Sequence, residues 1–302
     1  ATDRPAATAS WAISLLEITY PLTAPELRGE ACASKANLLS PHAMHNLVLG
    51  GLGDAAAYQK TEQIDNSAYY RIQAEFRKPL SDLSLGKHDN RPSVIVAHSL
   101  GCHITSTYAW DLHKYRDMAH DLGSDPTQRV HEDDSTNRFI QKLHQASPLE
   151  RLETFAGFVT MGCNMPLFTF HFGQQRVTPI AHSNDDKLHP PFPGERLEPE
   201  LKRVARWDNY FSCNDPFGYP LTPLNDRYGA GWYIHDHKVV TEGARRWITP
   251  WFLRPLLSGR AHYNYWWNDK IATGTAEMLK RIMHAPLDEE YSLFPGVVTK
   301  PQ

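Results

Sequence analysis

Strands alternating with helices predict an α/β fold for this chain, with a mainly parallel sheet flanked by helices. Three observations carry the prediction. Val94-Ile95-Val96-Ala97 is an apolar run of strand type, and a helical pattern follows it at once, with Ile104, Tyr108, Leu112 and Tyr115 on one face. Leu152–Met161 and Val204–Tyr210 are further runs of strand type. The segments between these runs are far longer than hairpin turns, and long crossovers join parallel strands.

The remaining elements follow in chain order. Residues 10–20 read as a strand that Pro21 ends, and residues 24–45 carry no clear pattern. Leu47-Val48-Leu49 runs into Gly50-Gly51-Leu52-Gly53-Asp54, where Asp54 is placed to cap a helix through Ala55-Ala56-Ala57. Tyr70, Ile72, Phe76, Leu80 and Leu83 predict an amphipathic helix over 67–83. The helix after Ala97 extends to about residue 118. Residues 119–147 are polar and charged, which reads as a surface excursion. Residues 165–205 are rich in Pro, His and charge, and form a long connection: an insertion, or a lid over a site. Residues 238–242 (Lys-Val-Val-Thr-Glu) read as the last strand. Tyr265, Trp266, Ile271, Met278, Leu279 and Ile282 predict a closing helix over 265–283. No internal repeat is visible, so the expectation is one domain over 1–302 that carries the 165–205 insertion.

Composition narrows the function classes. The chain has 302 residues, 41% of them hydrophobic, enough to bury a sizeable core. Its 31 basic and 34 acidic residues nearly cancel, and no long run of Lys or Arg occurs, so nucleic acid is not an expected partner. No apolar stretch is long enough to predict a transmembrane helix. Cys32, Cys102, Cys163 and Cys213 match no zinc spacing and are too few for a disulfide framework. Cys102 and Cys163 read as small buried packing residues, and a reducing, cytoplasmic location is expected. No cofactor motif is present, and the oligomeric state is not legible.

One residue stands out chemically. Ser99 lies in Val96-Ala97-His98-Ser99-Leu100-Gly101, where the apolar strand stops and the helix begins. A serine on a sharp strand-to-helix turn, with small residues two positions away on each side, is a nucleophile elbow. The first small position is Ala97 instead of glycine, the mildest departure; Gly101 keeps the second. A serine hydroxyl is a weak nucleophile until a base takes its proton. The helix N-terminus supplies the backbone N–H of Leu100 to a developing oxyanion.

An acid and then a base should follow on loops after later strands. Asp215 fits the acid: the aromatic strand Trp207-Asp208-Asn209-Tyr210-Phe211 leads into Asn214-Asp215-Pro216, and Pro216 disfavours helical geometry at the carboxylate-bearing residue. The bland alternative is a turn former, since Asp before Pro is common in turns. His262 fits the base, in a Gly-containing loop just before the closing helix. With 16 histidines, chance candidates abound. His98 and His103 flank the elbow too closely to serve as its base, and His182 and His189 fall in the insertion. His235-Asp236-His237 puts two imidazoles on one face of a strand, but two ligands without a third are a weak metal signal, and the piece reads as a polar strand or turn. Trp266, Trp267, Phe168, Phe170 and Phe172 could line an apolar acyl pocket or simply belong to the core.

In these residues the chain resembles α/β-hydrolase-fold serine hydrolases of the esterase and lipase type. The matching pieces are Gly53-Asp54 with Tyr58, the elbow at Ser99, Thr160-Met161-Gly162-Cys163-Asn164-Met165-Pro166-Leu167-Phe168, Trp207-Asp208-Asn209-Tyr210 with Asp215-Pro216, and His262-Tyr263 with Tyr265-Trp266. They span roughly residues 50–285. The resemblance implies nucleophile, acid and base at Ser99, Asp215 and His262, and a small-molecule or lipid ester as substrate. Members usually carry a His-Gly motif near the N-terminus that gives a second oxyanion donor, and none precedes Ser99 here. Either a leading strand segment lies outside this chain, or Gly50-Gly51-Leu52-Gly53 takes its place. A non-catalytic binding protein of the same fold, or an acyltransferase using the same triad, are the alternatives.

Overall fold

The structure is a computed structural model. It describes residues 15–18, 58, 68–84, 91–121, 146–169, 177, 179–181, 191–229, 233–241 and 258–285. Among these lie five strands: β1 (Leu15–Ile18), β2 (Ser93–His98), β3 (Phe155–Met161), β4 (Arg206–Phe211) and β5 (Ile234–Lys238). Six α-helices accompany them: α1 (Ala68–Ser84), α2 (Leu100–Asp121), α3 (Pro199–Val204), α4 (Asp226–Gly229), α5 (Ser258–Tyr263) and α6 (Asp269–His284). The strands form one sheet, parallel throughout, in the order β1-β2-β3-β4-β5. The chain is therefore α/β, with a parallel sheet and helices, as the alternation of strand and helix patterns predicts.

Period-two alternation sorts the strand side chains onto two faces. Ile95, Ala97, Phe158, Trp207 and Ile234 join the core beneath α1 and α2, packing with Tyr69, Phe76, Leu80, Ile104, Tyr108 and Leu112. Val94, Val96, Val159, Met161 and Tyr210 face the other way, toward Ile271, Met278 and Ile282 of α6 and Leu201 of α3. All seven residues of β3 are buried, as expected of a central strand covered on both sides. Each large apolar side chain so buried contributes roughly 1.5–3 kcal/mol.

The buried polar groups between β3, β4 and β5 satisfy one another. Trp207 Nε1 donates to Thr160 Oγ1 at 3.0 Å, which donates to Asn209 Oδ1 at 2.8 Å. Asn209 Nδ2 donates to Asp236 Oδ1 at 2.6 Å and to the Tyr219 carbonyl at 3.0 Å. Asp236 also accepts the backbone N–H groups of Leu221 and Thr222 at 2.8–3.0 Å. This row of bonds fastens the loop after β4 to the sheet.

Several boundaries differ from the expected ones. The last described strand is 234–238 rather than 238–242. It lies at an edge among the described strands and carries polar side chains that neighbours satisfy, so apolar content is a poor guide to it. Val239 still donates to the Phe211 carbonyl at 2.9 Å, but outside the strand proper. The strand read from Leu152 begins at Phe155, because Leu152 adopts φ +53° in the turn before it. β4 begins at Arg206, because Val204 closes α3. The closing helix begins at Asp269, capped by Asn268, whose side chain accepts from Lys270 N at 3.1 Å. Tyr265 and Trp266 precede it in a 3-10 turn, Asn264–Trp267.

In the segment 165–205, Met165–Phe168 forms a 3-10 turn, so Phe168 is not on a strand. Ile180, Ala181 and Phe192 are buried in the core, and Phe192 N donates to the Ile180 carbonyl at 2.8 Å. Phe170, Phe172, His182 and His189 lie outside the described residues, as do 24–45, the Gly50–Ala57 stretch and 122–145. Among the described residues, no helix is long and apolar enough to cross a membrane.

Candidate active site

In a parallel sheet all carboxyl ends point the same way, and the loops beyond them gather on one side. Ser99 follows the end of β2, Asp215 lies in the loop after β4, and His262 comes after β5. The three side chains meet there. Ser99 Oγ is 2.8 Å from His262 Nε2, across 163 residues of chain. His262 Nδ1 is 2.9 and 3.0 Å from the two Asp215 carboxylate oxygens, across 47 residues. An ionised carboxylate only accepts, so Nδ1–H donates to it. In the neutral ring Nε2 then accepts from the Ser99 hydroxyl. Both partners are buried, with side-chain exposures of 5% for His262 and 0% for Asp215.

The backbone of Ser99 explains its placement. Its φ is +56°, in the left-handed region that non-glycine residues rarely occupy. Such conformations persist where surrounding contacts over-determine them. Here Ser99 N donates to the Met161 carbonyl at 2.9 Å, extending the β2–β3 ladder to the turn itself, and Cys102 N donates to the Ser99 carbonyl at 3.1 Å as α2 begins. Leu152 is the other described non-glycine residue with positive φ, and it sits in the turn before β3. Leu100 is the first residue of α2, so its N–H has no carbonyl partner within that helix. The Gly50–Gly53 stretch, the candidate second donor, lies outside the described residues.

The Asp215 carboxylate takes part in two arrangements at once. As a turn former, it accepts from Phe217 N through Oδ1 at 2.9 Å, with Pro216 between. The same carboxylate accepts from His262. Burial works to raise its pKa, but the hydrogen bonds and charge of His262, the Phe217 N–H and the Tyr265 hydroxyl prevail and hold it below the usual carboxylate range. Tyr265 donates its hydroxyl to Oδ2 at 2.8 Å and accepts Ser212 N at 2.9 Å. Two glycines leave room for this carboxylate. Gly162, at φ +56°, and Gly218 both face it, and a Cβ built on either would stand 2.9 or 2.4 Å from Asp215 Oδ2.

His262 is not in an open loop but in α5, one residue from its end. Its ring meets Phe217 edge-on at 5.1 Å and His98 at 4.7 Å. His98 Nε2 lies 2.6 Å from the His262 carbonyl oxygen. Sequence reasoning singled out neither Tyr265 nor His98 as a partner of the site. The proximity of His98 to the elbow in sequence was visible; what it touches was not.

The other histidines divide. His103 stacks on Phe168 at 3.8 Å, and burial pushes its pKa down to about 3. His237 Nε2 is 2.7 Å from Asp208 Oδ1, which also accepts from Arg206 Nε at 2.6 Å. Among the described residues no group of three or more His, Cys, Asp or Glu side chains is arranged to hold a metal. Cys102 and Cys163 are buried and free, and Cys213 is exposed and free. Of the aromatics considered for an acyl pocket, Phe168 is buried while Trp267 is 79% exposed. A cavity of about 600 Å³ opens elsewhere, between β4, β5 and α6, lined by charged residues such as Arg206, Asp208, Lys270 and Glu277 and by none of the three. Hydroxyl-to-imidazole and imidazole-to-carboxylate distances speak for chemistry more directly than cavity size does, so the site is read at Ser99. No family model, curated protein or solved structure matches the chain.

Proposed function

We propose that this chain is a serine hydrolase of the α/β-hydrolase type that cleaves carboxylic esters through an acyl-enzyme. One observation carries the reading: the Ser99 hydroxyl, the His262 imidazole and the Asp215 carboxylate stand in an unbroken hydrogen-bonded row, with steps of 2.8 and 2.9 Å. In the proposed mechanism His262 Nε2 takes the Ser99 proton as Oγ attacks the ester carbonyl. Asp215 orients the ring and stabilises the imidazolium. The Leu100 N–H, at the positive end of α2, faces the charge that develops on the carbonyl oxygen. Collapse of the tetrahedral intermediate expels the alcohol, which takes the proton from His262. Water, deprotonated by the same imidazole, then releases the acid and restores Ser99. A small-molecule or lipid ester is the proposed substrate class.

The test is hydrolysis of p-nitrophenyl esters together with labelling by a fluorophosphonate. Wild type should turn over the esters and take up the probe, and Ser99→Ala should do neither, with a loss on the order of 10⁴ or more in rate. Probe labelling that persists in Ser99→Ala rejects Ser99 as the nucleophile. A well-folded wild type that neither hydrolyses nor labels supports a non-catalytic binding protein. Transfer of the acyl group to an added alcohol in preference to water indicates an acyltransferase.

A further inference from the structure

His98 is the last residue of β2, next to Ser99 in the chain. Alternation along β2 turns its ring away from Ala97 and toward the face that carries the 3-10 turn. It is partly buried there, with ring centroids 5.9 Å from both Tyr265 and Trp266 and 4.7 Å from His262. Its Nε2 is 2.6 Å from the His262 carbonyl. A carbonyl oxygen only accepts, so Nε2 carries the proton and donates it. Burial and the neighbouring His262 push the His98 pKa down to about 4, so near neutrality the ring is an uncharged donor.

We infer that His98 is a positioning residue: its Nε2–H holds the backbone of the base, fixing His262 relative to the strand that presents Ser99. The inference rests on the proposed triad. The His262 side chain alone is bound at both ring nitrogens, by Ser99 and Asp215, but those bonds change as the proton moves. The bond from His98 involves no reacting atom and persists throughout. It also falls in the last turn of α5, where carbonyls run out of partners within their own helix. Nucleophile and base thus share one strand end: Ser99 through the covalent chain, His262 through the side chain immediately before it. A displacement near 1 Å at a reacting group costs about 10²-fold in rate. The Ser99 hydroxyl is bonded to His262 Nε2 at 2.8 Å, so its proton goes to His262 and not to His98.

Three variants test this. His98→Phe keeps an aromatic ring in the same surroundings and removes the donor. His98→Gln offers an amide N–H at nearly the reach of Nε2. His98→Asn offers one that is too short. For p-nitrophenyl ester hydrolysis at pH 7.5, His98→Phe should lower kcat by about 10–100-fold with KM within about two-fold. His98→Gln should recover at least about ten-fold of that loss, and His98→Asn should not. The rate of fluorophosphonate labelling should follow kcat across the series. A purely structural role would lower the melting temperature and the fraction of active sites but leave the per-site kcat unchanged, so active-site titration separates the two. Unchanged per-site kcat in His98→Phe, or equal losses in Gln and Phe variants, overturns the inference while leaving the triad intact. A wild type that takes up no probe overturns the triad instead.

Discussion

Tyr265→Phe isolates what holds the proposed acid in place. Phenylalanine occupies the same space less one oxygen, so packing is preserved and only two hydrogen bonds disappear. One is the 2.8 Å bond to Asp215 Oδ2, and the other is the 2.9 Å bond from Ser212 N. The carboxylate is fully buried, so the first is a bond to a desolvated charge, worth about 1.5–3 kcal/mol. The second leaves a backbone N–H without its partner, at a cost of about 1–3 kcal/mol. The two share one hydroxyl and do not simply add, so the expected loss is about 3 kcal/mol. That corresponds to a fall in Tm of roughly 5 °C for a chain of 302 residues. The loss should depend on pH. The Asp215 pKa is held below its ordinary 3.8, so its contribution is complete above that value and disappears as pH falls through the folded value. Tyr265 supplies part of the depression. The gap between wild type and variant should therefore be full at pH 7 and narrow below about pH 4. Calorimetry from pH 8 to pH 3 measures this, and ester hydrolysis in parallel should fall about ten-fold as Asp215 loosens. A Tm within 1 °C of wild type at pH 7, or a gap that does not change with pH, would refute the assignment of Tyr265 as a clamp on the carboxylate.

Other outcomes follow from the same geometry. Asp215→Asn should keep the fold yet lower kcat by about 10⁴, because a neutral amide neither fixes the Nδ1–H tautomer nor stabilises the imidazolium; burst kinetics and circular dichroism together check this. Gly218→Ala should abolish most activity and lower Tm, since the new Cβ would stand 2.4 Å from Asp215 Oδ2 and 2.7 Å from the Tyr265 hydroxyl; thermal melts and probe labelling report it. His103 stays neutral in the folded chain down to about pH 3, whereas the unfolded chain protonates it below about 6.5. The unfolded state then binds the extra proton, so this residue alone should cost about 2 kcal/mol of stability between pH 8 and pH 5. His103→Phe, which keeps the stack on Phe168, should flatten the denaturation midpoint against pH over that interval; an unchanged slope would show that His103 is not buried neutral.

The sequence carried more of the candidate site than of the sheet edge, for a physical reason. Ser99 announces itself locally: an apolar strand, a tight turn and a helix are adjacent in the chain, and each is required by the same bend. Asp215 is nearly as local, because Pro216 and the strand before it are its neighbours. β5 is different. Ile234-His235-Asp236-His237-Lys238 shows one apolar residue; Asp236 and His237 are bonded by Asn209, Asp208 and the amides of Leu221 and Thr222, and His235 and Lys238 are exposed. Those partners lie 14–29 residues away, so no local pattern reveals that the segment extends the ladder. Periodicity places Tyr265 in the closing helix for its apolar body and does not register its hydroxyl, which bonds Asp215 and Ser212. Adjacency to the nucleophile excludes His98 as its base. That adjacency is what lets it reach the base's backbone.

The convergence of Ser99, Asp215 and His262 is best understood as a property of strand ends rather than of three separate residues. Ser99 N bonds to the Met161 carbonyl at the end of β3, and Gly162 N bonds to the Tyr210 carbonyl in β4. The ladder thus continues one residue past β2 and β3, and locks the elbow to the strands beside it. Beyond β4, Asp236 holds Leu221 and Thr222, so the loop that bears Asp215 is fastened at its far end by β5. From the helix side, Tyr265 reaches across to Asp215 and Ser212, and His98 reaches from β2 to α5. Asp215 and His262 are therefore each held by their own segment and by a side chain from another element, Tyr265 and His98, while Ser99 is held by its strand and by the β3 backbone. A turn former at Asp215 or a core histidine at 262 would need only the first kind of support. The second kind, spent on a buried carboxylate that already has a backbone donor, is what favours chemistry over packing at this site.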